Sequence, residues 1–259
     1  MKNLVHEKWI KGEASLGAIS HMLSPVAVEA MGAAGMDFVL LDMEHGPISF
    51  ESLAACITAA DAANITPMVR VSDTTRPSIL RALDLGANAV IVPCLESVEQ
   101  AKDLIQHAKF KPLGNRGYCM TRDGKWGFGE IYDNGLDGYM EQCNKQTLLI
   151  PQCETVCCLE NIEEIAALEG IDGILVGPYD LSLALGIAGQ FSHPDFTSAV
   201  DRILRACKAN NKISMIFVND EQAMKARLEQ GFDCILYGID VVSLISFYSS
   251  IKEKFNASV

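Results

Sequence analysis

Ionisable residues gather directly after an apolar run near the start of this chain. The run Phe38 to Leu41 is followed by Asp42, Glu44 and His45. A short apolar run rich in branched residues is typical of a strand that is buried on both faces. In parallel α/β proteins, ligands bind at the carboxyl ends of such strands. The cluster therefore predicts one side of a functional site, provided that other strands deliver matching groups.

Two carboxylates, Glu154 and Asp180, follow apolar runs that come later in the chain. Hard oxygen ligands with no Cys or His on the same face favour Mg²⁺ or Mn²⁺ with open coordination positions over structural zinc, with Co²⁺ or catalytic Zn²⁺ as alternatives. Strand alternation puts Gln152 on the side of Glu154 and turns Cys153 toward the helices. These positions predict a divalent metal site.

One guanidinium and one imidazole complete the predicted site. Arg70 brings fixed positive charge and forked donors that suit an oxyanion or a carboxylate, and the alternative is an ion pair with Asp42 or Glu44. His45 suits a general base because the pKa of imidazole is near about 6.5, and the alternative is a hydrogen-bonded structural residue. The neighbouring carboxylates and the guanidinium favour the catalytic interpretation.

Alternating strands and helices must bring these strand ends to one rim. Caps such as Ser24 before Pro25 predict helices between the apolar runs. Eight strands in 259 residues favour a (β/α)8 TIM barrel over an open doubly wound sheet, and we expect one domain, residues 1–259. The predicted strands are 16–20, 38–41, 67–71, 89–94, 148–152, 173–176, 213–218 and 234–237. The predicted helices are 24–35, 49–64, 77–85, 97–108, 159–168, 221–230 and a helix-containing stretch within 181–210.

Two segments depart from this alternation. Residues 110–146 hold several turn-type sequences, which predicts a long, partly helical excursion over one face, such as a lid or a subunit contact. Between Val241 and Phe255, apolar residues recur at helical spacing over a wide arc. That breadth predicts a helix that is buried on more than one side, against another subunit.

Charge and composition narrow the classes of partner. The chain has 21 basic and 33 acidic residues, a net charge of −12 that would repel nucleic acids and anionic membranes. No uncharged apolar run reaches the roughly 18 residues of a membrane span, and the nine cysteines lack the spacing of a disulfide framework. We therefore expect a cytoplasmic protein whose partners are small molecules, metal ions or further copies of itself.

Six motifs occur in order along nearly the whole chain: Leu41 to Gly46, Pro67 to Arg70, Leu83 to Ala87, Gly114 to Gly117, Gln152 to Thr155 and Gly173 to Ser182. Together they resemble the HpcH/HpaI aldolase family, the class II pyruvate-dependent aldolases, such as 2,4-dihydroxyhept-2-ene-1,7-dioate aldolase. The resemblance implies a barrel of the phosphoenolpyruvate/pyruvate-binding type. It also implies that the last helix is swapped between subunits of a homo-oligomer, a trimer or a hexamer.

The resemblance implies roles for the residues at the rim. Glu154 and Asp180 match the metal ligands, and Arg70 matches the residue that holds the keto oxygen and stabilises the pyruvate enolate. His45 matches the base, and Asp42 matches the acid that orients that histidine.

Further positions match residues of the family's substrate site. Asp84 matches a residue that reaches the active site of a neighbouring subunit and pairs with the histidine there. Gln152 matches a residue near the bound ketoacid. The backbone amides around Gly177, Pro178, Tyr179 and Asp180 match a loop that binds the carboxylate. Glu44 has no assigned role.

The implied reaction cleaves or forms 4-hydroxy-2-oxo acids, giving pyruvate and an aldehyde through a metal-bound enolate, with oxaloacetate decarboxylation as a side activity. The alternatives are an acyl-CoA lyase of the malyl- or citryl-CoA kind and a noncatalytic barrel that binds a metal and a ketoacid. Tyr118 to Gly127 departs from the small-residue pattern of the family, so the sequence does not specify the aldehyde.

Overall fold

A closed barrel of eight parallel strands forms the centre of the computed structural model, which describes residues 3–259. Each strand pairs with the next in chain order, and the last pairs with the first. The predicted (β/α)8 TIM barrel is therefore confirmed. The strands are β1 Ser15–Ser20, β2 Phe38–Asp42, β3 Thr66–Arg70, β4 Ala89–Val92, β5 Leu148–Cys153, β6 Gly173–Val176, β7 Ile213–Val218 and β8 Cys234–Ile239.

Helices follow the strands around the barrel, and most begin where the sequence has a good N-cap. The Ser24 and Ser49 hydroxyls accept hydrogen bonds from the first-turn N–H groups of Ala27 and Ser52. The helices are α1 Leu4–Ile10, α2 Pro25–Ala33, α3 Phe50–Ala62, α4 Arg76–Asp84, α5 Val98–Ala108, α6 Gly135–Gln146, α7 Val156–Glu160, α8 Ile162–Ala167, α9 Pro178–Ala184, α10 Pro194–Ala209, α11 Glu221–Gln230 and α12 Asp240–Ala257.

The strands are buried on both faces, which explains their nearly continuous apolar sequences. Phe38 and Leu40 of β2 belong to a cluster inside the barrel, whereas Val39 and Leu41 belong to the larger cluster between strands and helices. Cys153 lies in that outer cluster, as predicted from strand alternation. The last inward-facing residue of each strand therefore lies at the rim of the barrel, where the site residues are.

Two elements differ from the prediction. Helix α1 was not predicted, and it covers the amino ends of the strands, where Asn3 donates to the carbonyls of Asn88 and Gln146. The single helix expected at 159–168 consists of α7 and α8, which meet at Asn161. Helix α1 lies away from the predicted site residues, whereas α7 begins at Val156, two residues after Glu154.

The excursion at 110–146 lies at the amino-end face of the barrel, because it packs where α4 ends and β4 is about to begin. Arg116 pairs with Asp84, the last residue of α4. Phe110, Tyr139 and Cys143 form a small apolar cluster within the excursion. The excursion is partly helical, as predicted, but it is no lid over the rim of its own barrel.

Helix α12 leaves most of its apolar side chains exposed. Asp240 is its only buried residue among those described. The exposed large apolar residues of the helix are Val241, Val242, Leu244, Ile245, Phe247, Tyr248, Ile251 and Phe255. Among residues 3–259, no helix combines the length and the apolar character needed to cross a membrane.

Candidate active site

A cavity of about 260 Å³ opens at the carboxyl ends of the strands. Most of the residues that the sequence singled out lie on its wall, together with apolar side chains from inside the barrel. The predicted residues on the wall are His45, Arg70, Gln152, Gly177, Pro178, Tyr179 and Asp180. The structure thus brings together groups from β3, β5, β6 and the loop after β2.

Strand alternation and register place the polar residues at this end. Phe38 and Leu40 point into the barrel, so the next inward residue of β2 is Asp42. Asp42 is paired in the parallel register with Arg70 of β3. Gln152 follows Ile150 of β5 in the same way. The polar residues therefore lie on top of a closed apolar core.

Arg70 is held by two carboxylates. Its Nε donates to Asp42 Oδ1 at 2.8 Å and its Nη2 to Asp42 Oδ2 at 2.6 Å, while Nη1 lies 3.1 Å from Glu44 Oε2. Burial alone would raise the pKa of Asp42, but the hydrogen bonds and charge of Arg70 outweigh burial and lower it. The ion-pair alternative for Arg70 is thus present, and the residue still lines the cavity.

Glu154 is buried at 5% exposure, and its two carboxylate oxygens have different partners. Oε1 accepts a hydrogen bond from the Cys94 backbone N–H at 2.7 Å, and Oε2 accepts one from Gln152 Nε2. Burial and then the charge of Asp180 raise the pKa of Glu154, against the effect of these donors. Any side chain at Gly177 would start 2.8 Å from Oε2, so close packing requires glycine here.

A group of possible metal ligands surrounds Glu154. One ligand atom from each of Glu44, Cys94 and Glu154 lies within 4.8 Å of the others. Asp180 is exposed and outside this group among the residues the structure describes, although its charge acts on Glu154. Buried Gln152 Oε1 has no hydrogen-bond partner within the described chain. Carboxylates and an unpartnered acceptor suit a divalent cation, so the residues present fit one.

Asp42 contacts a different histidine from the one expected. Its Oδ2 lies 2.7 Å from Nε2 of His21, whereas the nearest bond to His45 is from the backbone N–H at 3.5 Å. The His45 side chain is 62% exposed, with Nε2 at 3.9 Å from Glu44. The expectation that Asp42 orients the His45 ring is therefore corrected, because the imidazole that Asp42 holds is that of His21.

Asp84 lies away from the cavity, at the other end of the barrel. Its Oδ1 accepts a hydrogen bond at 2.9 Å from Arg116, which also donates to Asp123 at 2.6 Å. Burial raises the pKa of Asp84, although Arg116 opposes this. Within one chain, Asp84 is thus a partner of the excursion, and this contact explains a carboxylate at a helix C-terminus.

Sequence reasoning missed two residues of the site. His21 comes two residues after inward-facing Ile19, so the alternation of β1 points it to the rim, but a single histidine after a short strand gave no further signal. Cys94 adopts the left-handed region at a φ of 54°, and its exposed thiol lies 3.9 Å from Glu44. Burial, followed by the charges of Glu154 and Glu44, raises the pKa of this thiol to about 11.

Comparisons with known proteins find a family match across most of the chain. The profile of the HpcH/HpaI aldolase/citrate lyase family matches residues 20–246. A hydroxypyruvate/pyruvate aldolase of Roseobacter denitrificans is 31% identical over 94% of this chain and 93% of that protein. A 2-dehydro-3,6-dideoxy-6-sulfogluconate aldolase of Pseudomonas putida is 35% identical over 90% of this chain and 89% of that protein.

The fold has equally similar solved relatives. The structure of a HpcH/HpaI aldolase/citrate lyase family protein from Burkholderia cenocepacia matches with a TM-score of 0.90 at 30% sequence identity. The match covers 98% of this chain and 100% of that one. Both the sequence and the barrel geometry of this chain are therefore similar to those of one group of enzymes.

Proposed function

Because this chain belongs to the HpcH/HpaI aldolase/citrate lyase family, we propose that it is a metal-dependent aldolase for 4-hydroxy-2-oxo acids. Cleavage would give pyruvate and an aldehyde, and synthesis would be the reverse. The proposal rests on one observation: ligand atoms of buried Glu154 and of Glu44 lie within 4.8 Å of each other, and Glu44 also contacts Arg70 of the cavity wall. Family membership also makes the chain an enzyme, a lyase.

The proposed metal ligands are Glu154 and Asp180, with Glu44 beside them. A divalent cation, Mg²⁺ or Mn²⁺ in this proposal, supplies Lewis-acid chemistry at the 2-oxo acid group when it is bound. The carboxylate of Glu154 is fixed for this task by Gln152 and by the Cys94 backbone. Burial and then the charge of Asp180 raise the pKa of Glu154, and a bound cation would offset both effects.

Arg70 would bind the keto oxygen of the substrate. When the C3–C4 bond breaks, negative charge develops on that oxygen, and a guanidinium in a buried site stabilises such charge strongly. The two hydrogen bonds that Arg70 donates to Asp42 fix the orientation of the guanidinium before substrate binds. Gln152 and the backbone N–H groups of Tyr179 and Asp180, in the first turn of α9, would hold the rest of the ketoacid.

His45 would remove the proton of the 4-hydroxyl group. Its ring is exposed at the cavity wall, where an entering substrate can reach it. The His45 ring makes no hydrogen bond to Asp42, so another group is needed to orient this ring. We propose that Asp84 of a second copy does so, which requires an assembly of subunits.

The assembly we propose is a trimer or hexamer in which α12 is exchanged between subunits. The exposed apolar face of α12 supports this proposal. We further propose that residues 1–259 act as one domain and that the enzyme is cytoplasmic. All nine cysteines are free in the structure, which is typical of a reducing compartment.

A panel of substrates tests the proposed reaction. Purified protein with Mg²⁺ or Mn²⁺ is given 4-hydroxy-2-oxo acids that release short, long, hydroxylated or acidic aldehydes, and pyruvate is measured with lactate dehydrogenase. We expect pyruvate from at least one substrate, and slower pyruvate release from oxaloacetate, because loss of CO₂ leaves the same enolate. Cleavage of malyl-CoA with no reaction on the panel would favour the acyl-CoA lyase instead. Pyruvate binding without any turnover would favour a noncatalytic barrel.

A further inference from the structure

A second imidazole faces the cavity and is held more firmly than His45. His21 follows β1, lines the cavity and has a side chain that is 24% exposed. Its Nε2 lies 2.7 Å from Oδ2 of Asp42, whose side chain is fully buried. The pair therefore joins a buried carboxylate to an imidazole that a ligand can reach.

His21 lies close to the group proposed to bind the keto oxygen. Asp42 Oδ2, which contacts the His21 ring, also accepts from Arg70 Nη2 at 2.6 Å. Two consecutive hydrogen bonds thus separate the imidazole from the guanidinium. A keto oxygen on Arg70 would bring the adjoining carbon atoms of the substrate beside the His21 ring.

The contact with Asp42 also fixes the tautomer of His21. A carboxylate can only accept, so Nε2 carries the hydrogen and Nδ1 of the neutral ring is a free acceptor. Within residues 3–259, Nδ1 of His21 makes no hydrogen bond. The arrangement of a buried carboxylate, a fixed imidazole and a free ring nitrogen is that of a general acid–base pair.

The backbone of His21 is fixed as well. The buried Asp240, at the start of α12, accepts from the His21 backbone N–H at 2.9 Å and from Ser20 Oγ at 2.7 Å. Asp42 thus holds the ring while Asp240 holds the backbone that carries it, which limits the directions in which His21 can transfer a proton.

We propose that His21 transfers the proton at C3 of the pyruvate enolate, an inference that rests on the proposed aldolase function. After cleavage, His21 that has taken up a proton from solvent at Nδ1 donates this proton to C3. The electron pair of the enolate forms the new C–H bond, the C2 ketone re-forms and His21 becomes neutral. In synthesis, Nδ1 removes a methyl proton and the negative charge moves to the oxygen bound by Arg70. His45 acts on the 4-hydroxyl, so the two imidazoles have separate tasks.

Hydrogen–deuterium exchange of the pyruvate methyl group tests this step without any aldehyde. The Mg²⁺-loaded protein is incubated with pyruvate in ²H₂O, and loss of the methyl signal is followed by proton NMR. His21→Gln can still donate to Asp42 but cannot carry a proton. We expect exchange to fall by about 100-fold or more, the usual contribution of a general acid–base group. Pyruvate affinity, measured by calorimetry, should stay within about threefold of the wild type, since glutamine keeps the hydrogen bond.

The controls separate the possible failures. His6→Gln, on α1 at the opposite end of the barrel, should exchange like the wild type. If His21→Gln exchanges the methyl hydrogens at the wild-type rate, the role of His21 is overturned and the aldolase proposal stands. If the wild type neither exchanges these hydrogens nor releases pyruvate, both the role of His21 and the aldolase proposal are overturned. If His21→Gln fails to bind pyruvate, His21→Ala with added imidazole decides: restored exchange supports the inference, and no restoration contradicts it.

Discussion

At the scale of single residues, the site combines a positive centre with surrounding carboxylates. The single positive charge of Arg70 already faces two carboxylates, Asp42 and Glu44, so Glu154 and Asp180 add further negative charge to the site. Burial and the nearby charge of Asp180 raise the pKa of Glu154. A proton and a cation would therefore compete for the carboxylate of Glu154.

Glu154→Gln should remove the metal site without unfolding the protein, because the residue lies at the rim. We expect the Mn²⁺ affinity, measured by calorimetry, to fall by about 100-fold or more, since even a lost supporting contact costs 10- to 100-fold. Wild-type affinity should also weaken as pH falls through the raised pKa of Glu154, because protonation removes the ligand charge. Exposed Glu160→Gln is the matched control and should bind like the wild type. Unchanged Mn²⁺ affinity in Glu154→Gln would place the metal elsewhere.

Strand ends were enough to predict most of the polar residues of the cavity. Arg70, Gln152 and Asp180 line it because each follows or ends a strand whose inward positions can be read from the sequence. The partner of Asp42 could not be predicted, because the side chains of His21 and His45 compete for it and only the barrel geometry decides. Strand order placed His45 at the rim, whereas His21 was missed.

At the scale of elements, a buried ion network joins the excursion to the barrel. Arg116, with a side chain only 2% exposed, bridges Asp84 of α4 and Asp123 of the excursion. The Tyr139 hydroxyl of α6 donates to the same Asp123 at 2.9 Å. The network fixes the excursion at the amino-end face of the barrel.

Arg116→Met should destabilise the protein because it leaves the buried Asp123 carboxylate without its cation. We expect the free energy of unfolding, from urea denaturation, to fall by about 3–5 kcal/mol, the usual effect of breaking a buried ion pair. Arg202→Met removes an exposed pair with Glu163 and should cost less than about 1 kcal/mol. Equal losses in the two variants would contradict a structural role for the Arg116 network.

The order of strands and helices could be predicted because caps and apolar runs are local signals. Helix α1 was missed because it is only seven residues long. Its packing against the amino ends of the strands is a long-range contact, which local sequence patterns do not indicate. The face of the barrel that the excursion covers could not be predicted either, because turn-type sequences indicate where a chain bends and not which surface it packs against. The pairing of Arg116 with Asp84 settles that surface.

At the scale of the whole molecule, α12 is the clearest sign of a larger assembly. It spans 18 residues, and Phe247, Tyr248 and Phe255 are each more than half exposed. Exposed apolar surface of this extent is typical of an interface between proteins. Its first residue, Asp240, also holds the backbone of His21, so the helix connects the proposed interface to the site.

Phe247→Asp should weaken the assembly because it places a charge in the apolar face of α12. We expect the wild type to sediment as a trimer or hexamer of 28.1 kDa chains and the variant to sediment as a smaller species. Ser249→Asp adds the same charge two residues away, on the other side of the helix, and should leave the assembly intact. A wild type that sediments as a monomer, or a variant with the wild-type sedimentation coefficient, would contradict the exchanged helix.

The dependence of catalysis on a metal ion is the central claim for the whole molecule. The most direct measurement is pyruvate release from a cleaved 4-hydroxy-2-oxo acid by protein first stripped with EDTA and then titrated with Mn²⁺. We predict that the stripped protein is at least about 100-fold slower, as expected when Lewis-acid stabilisation of several kcal/mol is lost, and that Mn²⁺ restores the rate. Equal rates for the stripped and the Mn²⁺-loaded protein would contradict the account.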